Sequence, residues 1–126
     1  MPLVRIDVPE SIEPSRRIAI ADTIYETMVD VLNVPEHDRF QIITAHGAGT
    51  LLIDPTYLDI DRSAVAFVIA ITLNAGRSVE LKKQFYATLA QRLHAVAQIR
   101  TEDVFVSLTE VAKENWSFGK GEAQYA

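Results

Sequence analysis

The sequence predicts an α+β fold in which a strand–helix–strand unit occurs twice, forming a four-stranded sheet with two helices on one face. Leu3–Val8 nearly alternates apolar and charged side chains, which is the period-two pattern of a half-buried strand. Apolar residues recur at spacings of three and four after Pro14, and again after Ser78, as they do on amphipathic helices. Asp-x-Phe follows each helical stretch, at Asp38 and 65 residues later at Asp103. A constant offset of this kind indicates an internal duplication.

The first half of the chain contains the first strand, a helix and a second strand. Pro14 suits the first helical position, where a missing N–H removes no hydrogen bond. The apolar stripe ends at Asn33, so we expect the helix to end there. A strand pattern covers Asp38–Thr44. Residues 45–63 are rich in glycine, proline and acids, and we expect a loop with at most a short strand at Thr50–Ile53.

The second half repeats this order. Val65–Leu73 is a nearly continuous apolar run, which is typical of a strand covered on both faces. Asn74–Arg77 is predicted to turn the chain, and Ser78 to cap the second helix. Asp103–Leu108 is the predicted last strand. We therefore expect a single domain over residues 1–126, with repeat halves at about 1–63 and 64–126.

Two right-handed strand–helix–strand units side by side place both helices on the same face of the sheet. The other face is then bare, although the strands of the second half are apolar on both sides. A closed homo-oligomer would cover that surface.

Composition excludes several classes of protein. The net charge of −5 argues against a protein that binds nucleic acid by neutralising phosphates. The absence of cysteine excludes disulfides, thiolate nucleophiles and cysteine metal sites. The longest apolar run, Ala64–Leu73, is too short to span a bilayer, and no leader precedes Leu3. We expect a cytoplasmic protein that binds neither membranes nor nucleic acid.

The first candidate for a catalytic residue is Pro2, directly after the initiator methionine. Removal of Met1 would turn Pro2 into a free secondary amine at the tip of the first strand. An α-amino group has a pKa of about 8, so such an amine can act as a base, an acid or a Schiff-base nucleophile. A Met-Pro start is nevertheless common in proteins without this chemistry.

Four short segments, taken in chain order, carry a resemblance to a known family: Pro2–Ile6, Val34–Gln41, Gly76–Ser78 and Asn115–Gly119. Asn-Trp-Ser-Phe-Gly in the tail is the most specific of them. With the duplication and the lack of cysteine, the whole chain resembles the tautomerase superfamily, and within it the malonate semialdehyde decarboxylase group. This resemblance implies a homotrimer whose catalytic group is an N-terminal proline and which needs no cofactor.

Carried over by position, the resemblance makes Pro2 the catalytic amine, Asp38 its acidic partner and Arg77 the cation that binds a substrate carboxylate. It makes Trp116 and Phe118 walls of the pocket. Tyr125 could reach the same pocket.

The sequence departs from the better-known decarboxylases of the group just before the second helix. Leu73–Arg77 is one residue longer than their segment and holds one arginine instead of two. It is similar to a second branch with one arginine and a glutamine beside the Asp motif, which Gln41 matches. The departure leaves the substrate open.

The same residues also have simpler interpretations. Arg77 precedes the N-cap of the second helix and could form an anion site with its N–H groups, or could be a solvated turn residue. Asp38 could cap a loop as a turn acid, or could orient water or hold the amine protonated. Its repeat mate Asp103 occupies the same place in the pattern, so one of the two can be purely architectural.

Other kinds of site have no pattern in the sequence. His37, His46 and His94 are scattered without the spacing of metal ligands, and we expect no metal site. No dinucleotide fingerprint or phosphate-binding glycine loop is present either.

We expect a cofactor-independent decarboxylase of a small 3-oxo acid similar to malonate semialdehyde. One alternative is a keto–enol tautomerase of a 2-oxo acid such as phenylpyruvate. Another is a hydratase of a haloacrylic or acetylenic acid, with Asp38 activating water. A rival of a different class is a non-catalytic trimer that uses its tail as a binding surface.

Overall fold

The chain forms a four-stranded sheet with strand order β2-β1-β3-β4 and two long helices, as described by a computed structural model for residues 2–126. The strands and helices are β1 (Leu3–Pro9), α1 (Pro14–Leu32), β2 (Gln41–His46), β3 (Phe67–Asn74), α2 (Val79–Ala97) and β4 (Val104–Val111). Short 3-10 turns lie at Tyr57–Asp59, Thr101–Asp103 and Lys113–Asn115. β1 pairs in parallel with β2 and antiparallel with β3, and β3 pairs in parallel with β4. The predicted fold class is confirmed.

The duplication extends to the ends of the helices. Both helices have 19 residues, and the second begins and ends 65 positions after the first. Pro14 occupies the first turn of α1, and the Ser78 hydroxyl accepts a hydrogen bond from the Leu81 N–H at 3.1 Å, as predicted. Asn33 and Gln98 end the helices in the left-handed conformation, with φ of 57° and 53°. The two repeats therefore use the same helix-ending geometry.

The strand ends differ from the sequence prediction. The strand predicted at Asp38–Thr44 was wrong at its start. β2 begins at Gln41, because the chain first turns where the Asp38 N–H bonds the Pro35 carbonyl. The strand predicted at Val65–Leu73 was wrong at its start as well. β3 begins at Phe67, because Ser63 holds a preceding turn by accepting from the Ala66 N–H.

The last strand is longer than Asp103–Leu108. Asp103 lies in the 3-10 turn before β4, and β4 continues to Val111, which pairs with Asn74 at the end of β3. Residues 50–53 form no strand, and a 3-10 turn at Tyr57–Asp59 follows them.

One hydrophobic core lies between the sheet and the two helices. Alternate residues of β1 and β3 point into it, and both helices contribute to it: Val4, Ile6, Val8, Ile20, Ile24, Met28, Phe67, Ile69, Ile71, Leu73, Phe85, Leu89 and Leu93. The intervening residues of β3 are only half-buried, so within one chain this strand is covered on one face rather than on both.

The opposite face of the sheet carries exposed apolar side chains. Phe40, Ile42 and Phe105 are 47%, 41% and 47% exposed. Surface of this kind on a folded chain marks an interaction site. In the part of the chain that the structure describes, no helix is long and apolar enough to cross a bilayer.

Asp103 is architectural. It is 1% exposed, and its carboxylate accepts hydrogen bonds from the Ser63 N–H at 2.7 Å and from the Ser63 hydroxyl at 2.6 Å. These contacts fix the end of the 45–63 loop just before β3.

We predict that Asp103→Ala lowers the free energy of unfolding by about 2–3 kcal/mol, because two charge-assisted hydrogen bonds are lost and Ser63 is left without its acceptor. Urea unfolding followed by circular dichroism measures the loss. Asp61→Ala is the control: this side chain is 92% exposed and its nearest cationic atom, on Arg100, is 3.8 Å away, so we expect a change within about 0.5 kcal/mol. Equal losses in the two variants would contradict the role of Asp103.

Candidate active site

Several of the predicted site residues lie toward the end of the sheet where β1 begins. Leu3 pairs with Thr72 near the end of β3, and the Val4 N–H bonds the Phe40 carbonyl just before β2. Pro2, one residue before β1, is buried between these two segments. Its nitrogen forms an amide with Met1, so it becomes an amine only when Met1 is removed.

Asp38 lies in the segment that leads into β2 and is 7% exposed. Burial raises the pKa of this carboxyl above 3.8, while the positive charge at the N-terminus of the chain acts in the opposite direction. Asp38 lies two residues before Phe40, whose carbonyl accepts from the Val4 N–H at the start of β1. The two repeat mates have therefore diverged, since Asp103 serves the fold and Asp38 lies beside the N-terminus.

The Arg77 guanidinium connects two parts of the backbone. Its Nε and Nη2 donate to the carbonyl of Leu32, the last residue of α1, at 3.1 and 2.9 Å, and Nη1 donates to the Asn74 carbonyl at 3.1 Å. Within residues 2–126 these contacts use three of its five N–H groups. Burial lowers the pKa of Arg77, and the charge of Glu110 counteracts this. The backbone of Arg77 precedes α2 as predicted, whereas its side chain reaches the C-terminal end of α1.

The aromatic residues of the tail form one cluster next to the end of β3. Trp116 and Phe118 stack with ring centroids 5.5 Å apart and an interplanar angle of 18°. Tyr125 meets Phe118 edge-on at 5.0 Å, and Phe40 lies 6.3 Å from the same ring. The Trp116 Nε1–H donates to Asn74 Oδ1 at 2.7 Å. The predicted pocket residues Trp116, Phe118 and Tyr125 are thus brought together.

A cavity of about 410 Å³ adjoins this cluster and is lined by Pro35, Asn74, Lys113, Gln124 and Tyr125. Gln124 closes the tail on itself: its Oε1 accepts from the Phe118 N–H, and its Nε2 donates to the Gly119 carbonyl, both at 2.9 Å. Sequence reasoning missed Phe40, Asn74 and Gln124 as neighbours of the site, since none of them stands in a pattern that indicates chemistry.

Gln41 lies near the predicted site but is engaged elsewhere. Its Oε1 accepts from Arg39 Nε at 2.8 Å, and its Nε2 donates to the Ala21 carbonyl of α1 at 2.9 Å. Arg39 also forms an ion pair with Asp22 at 2.8 Å. In this arrangement Gln41 ties β2 to α1.

The histidines are dispersed. His46 Nε2 lies 2.7 Å from Asp7 and its Nδ1 lies 3.2 Å from Thr50, at the opposite end of β1 from Pro2. His94 bonds the Ile99 carbonyl, and His37 is in a turn with φ of 66°. Over residues 2–126, no group of three or more ligating side chains is placed to hold a metal ion.

A buried N-terminal proline segment, a buried carboxyl and an arginine at one end of a duplicated sheet define a class of small acid–base enzymes. The chain belongs to the tautomerase enzyme family: residues 38–119 match one family of tautomerase enzymes and residues 2–59 match a second. A relative from Bacillus subtilis (strain 168), the probable tautomerase YusQ, is 36% identical over 124 residues, covering 98% of each chain.

Solved structures add detail to this membership. The chain is similar to FG41 malonate semialdehyde decarboxylase inhibited by 3-bromopropiolate, with a TM-score of 0.91, 37% identity, and coverage of 98% of this chain and 93% of that one. A second malonate semialdehyde decarboxylase has a TM-score of 0.90 and 30% identity, with 98% and 95% covered. It was solved as wild type, as a proline-to-alanine mutant and in an inactivated form, to explain decarboxylase and hydratase activities. A more distant protein of the same fold, a fused 4-OT at 21% identity and a TM-score of 0.79 that covers 98% of this chain and 97% of its own, is described as a symmetric trimer.

The raised pKa of Asp38 predicts how stability responds to pH. Between its ordinary value of 3.8 and the raised value, the folded chain binds more protons than the unfolded chain, so this group reduces stability as pH rises. Asp38→Asn removes the effect. We therefore expect the unfolding free energy of Asp38→Asn, relative to wild type, to increase between about pH 3 and about pH 7.

Glu110→Gln provides a control of opposite sign. The hydrogen bond from Lys82 holds the pKa of Glu110 below 4.5, so its stabilising contribution is present above that value and is lost as pH falls. Relative to wild type, this variant should become less stable as pH rises. The same trend in both variants, measured by urea unfolding across pH, would be inconsistent with burial of the Asp38 carboxyl.

Proposed function

We propose that this tautomerase-family enzyme decarboxylates a small 3-oxo acid similar to malonate semialdehyde, with the amine of Pro2 as its reactive group. The observation that carries the proposal is that buried Pro2 and buried Asp38 lie toward the same end of the sheet as the hydrogen bonds of Arg77 and Trp116 to Asn74. Support also comes from the similarity to malonate semialdehyde decarboxylases over 98% of the chain.

Arg77 binds the substrate carboxylate. A guanidinium offers a planar fork of donors that matches a carboxylate better than an ammonium does. The contacts with Leu32 and Asn74 hold the guanidinium in place before substrate arrives. Binding therefore requires little loss of side-chain freedom.

Pro2 supplies the electron sink. Its protonated amine polarises the carbonyl oxygen at C3, or its neutral amine adds to C3 and loses water to give an iminium ion. The bond between C2 and the carboxyl carbon then breaks and carbon dioxide leaves. The electron pair of the broken bond stays on C2 and forms an enol or an enamine. Protonation at C2, followed by hydrolysis where an iminium formed, releases the aldehyde and restores the amine.

Asp38 controls the proton at this centre. Burial raises the pKa of this carboxyl and so favours its role in proton transfer, and its ionised form attracts the positive charge of the amine. The stacked Trp116 and Phe118 exclude water from one side of the pocket, which favours loss of a carboxylate.

A keto–enol tautomerase is the second candidate. The cluster of Phe40, Trp116, Phe118 and Tyr125 favours it, because such a surface accepts the ring of an aryl 2-oxo acid such as phenylpyruvate. In that reaction a neutral Pro2 amine moves a proton between carbon and oxygen. Activity that rises with pH through about 6 indicates this base, whereas activity lost near pH 9 indicates the cationic form.

Hydration of a haloacrylic or acetylenic acid, with Asp38 activating water, is the third candidate. It is favoured by the similarity to a decarboxylase whose hydratase activity has been described. A product analysis by NMR on a panel of such acids separates the three reactions.

We predict that Pro2→Ala lowers kcat/KM for a 3-oxo acid by about 10²–10⁴-fold, because a primary amine of different geometry and basicity replaces the ring nitrogen. Pro55→Ala, at an exposed loop position, is the matched control and should retain full activity. Borohydride added during turnover should attach substrate to Pro2 if the iminium route operates.

Unchanged turnover in Pro2→Ala would end the proposal. Mass spectrometry of the purified protein tests its premise, since Met1 must be absent. A mass that retains Met1, without turnover of any oxo acid, supports the alternative of a non-catalytic protein that binds through its tail.

We also propose that the exposed sheet face assembles the chain into a homotrimer. Light scattering coupled to gel filtration should give about three times the 14.0 kDa of one chain. Ile42→Glu, on the bare face, should shift the protein towards monomer. Ile18→Glu, on the helix layer and 56% exposed, should leave the mass unchanged. A wild-type monomer would refute the assembly.

A further inference from the structure

Asn74, the last residue of β3, contacts both the cation and the aromatic wall of the site. Its backbone carbonyl accepts from Arg77 Nη1 at 3.1 Å, and its side-chain Oδ1 accepts from Trp116 Nε1 at 2.7 Å. The main chain at this point is fixed by the sheet, because Asn74 pairs with Val111 and the next N–H, of Ala75, bonds the Val111 carbonyl at 2.9 Å. One rigid residue therefore holds two groups that come from different parts of the chain.

The chemistry of the side chain suits this position. An indole N–H is only a donor, so a half-buried tryptophan needs an acceptor to fix its ring. The carboxamide oxygen of Asn74 provides one without a charge. An aspartate would provide the same acceptor but would add a negative charge beside the Arg77 guanidinium, where it would compete with a substrate carboxylate.

The rest of the aromatic wall packs next to this anchor. Phe118 stacks on Trp116, and Tyr125 and Phe40 contact Phe118. The Trp116–Asn74 hydrogen bond joins this cluster to the end of β3 at the point where Arg77 is also held.

We propose that Asn74 is a positioning residue that sets the indole of Trp116 and the guanidinium of Arg77 in a fixed relative placement, so that one small carboxylate fits between them. The catalytic part of this inference rests on the proposed function, whereas the placement of Trp116 does not. Asn74 itself need not touch the substrate.

The experiment uses intrinsic fluorescence, because Trp116 is the single tryptophan of the chain. In Asn74→Ala we expect the emission of Trp116 to shift to longer wavelength and acrylamide to quench it more strongly, since the ring loses its partner. We also expect kcat/KM for a 3-oxo acid to fall about three- to tenfold, as for one lost hydrogen bond. Asn74→Asp should keep the emission of wild type while KM rises and kcat changes less.

Asn115→Ala is the matched control, because Asn115 adjoins Trp116 in sequence but is exposed, and its side chain makes no hydrogen bond to residues 2–126. Its emission should equal that of wild type. Malonate, titrated against Trp116 fluorescence, provides a readout that needs no turnover, and its Kd should increase in Asn74→Asp.

Wild-type emission and quenching in Asn74→Ala would overturn the proposal, as would a changed emission with unaltered kcat, KM and malonate affinity. If Asn74→Ala fails to unfold cooperatively, Asn74→Asp decides: an altered emission or an unchanged malonate Kd refutes the positioning role. If no oxo acid is turned over by wild type, the proposed function fails, and the fluorescence and malonate measurements still decide the role of Asn74.

Discussion

The pairing of β1 with both β2 and β3 is the constraint on which the rest of the structure depends. It places the start of the chain inside the sheet, next to the segment before β2 and next to the end of β3. Asp38 lies in the first of these segments. Asn74 ends β3, and Arg77 lies just after it. The central position of β1 is therefore what buries Pro2.

The two repeats contain equivalent helices and strands, but equivalent residues in them make different contacts. The helices retain equal lengths and equal left-handed ends. The two equivalent aspartates differ. Asp103 accepts two hydrogen bonds from Ser63, whereas burial raises the pKa of Asp38. Equivalent positions of the two repeats therefore place the same residue type in different surroundings.

The sequence predicted what local patterns determine. The helices were found because apolar periodicity and the residues at their ends, such as Pro14 and Ser78, act within a few positions. The start of β1 at Leu3 was predicted correctly, whereas the starts of β2 and β3 were missed because they depend on turns closed by single hydrogen bonds. The side-chain directions of Gln41 and Arg77 could not be read either, since they depend on which α1 carbonyl lies opposite. Asn74 looked like a turn residue, and only the folded tail shows its second contact.

The position of β1 also bears on how the chain acquires its fold. Its antiparallel neighbour β3 lies more than sixty residues later in the sequence. Contacts between such distant segments require large loops to close, and proteins rich in them fold slowly. The central β1–β3 ladder therefore forms more slowly than the closer pairing of β1 with β2.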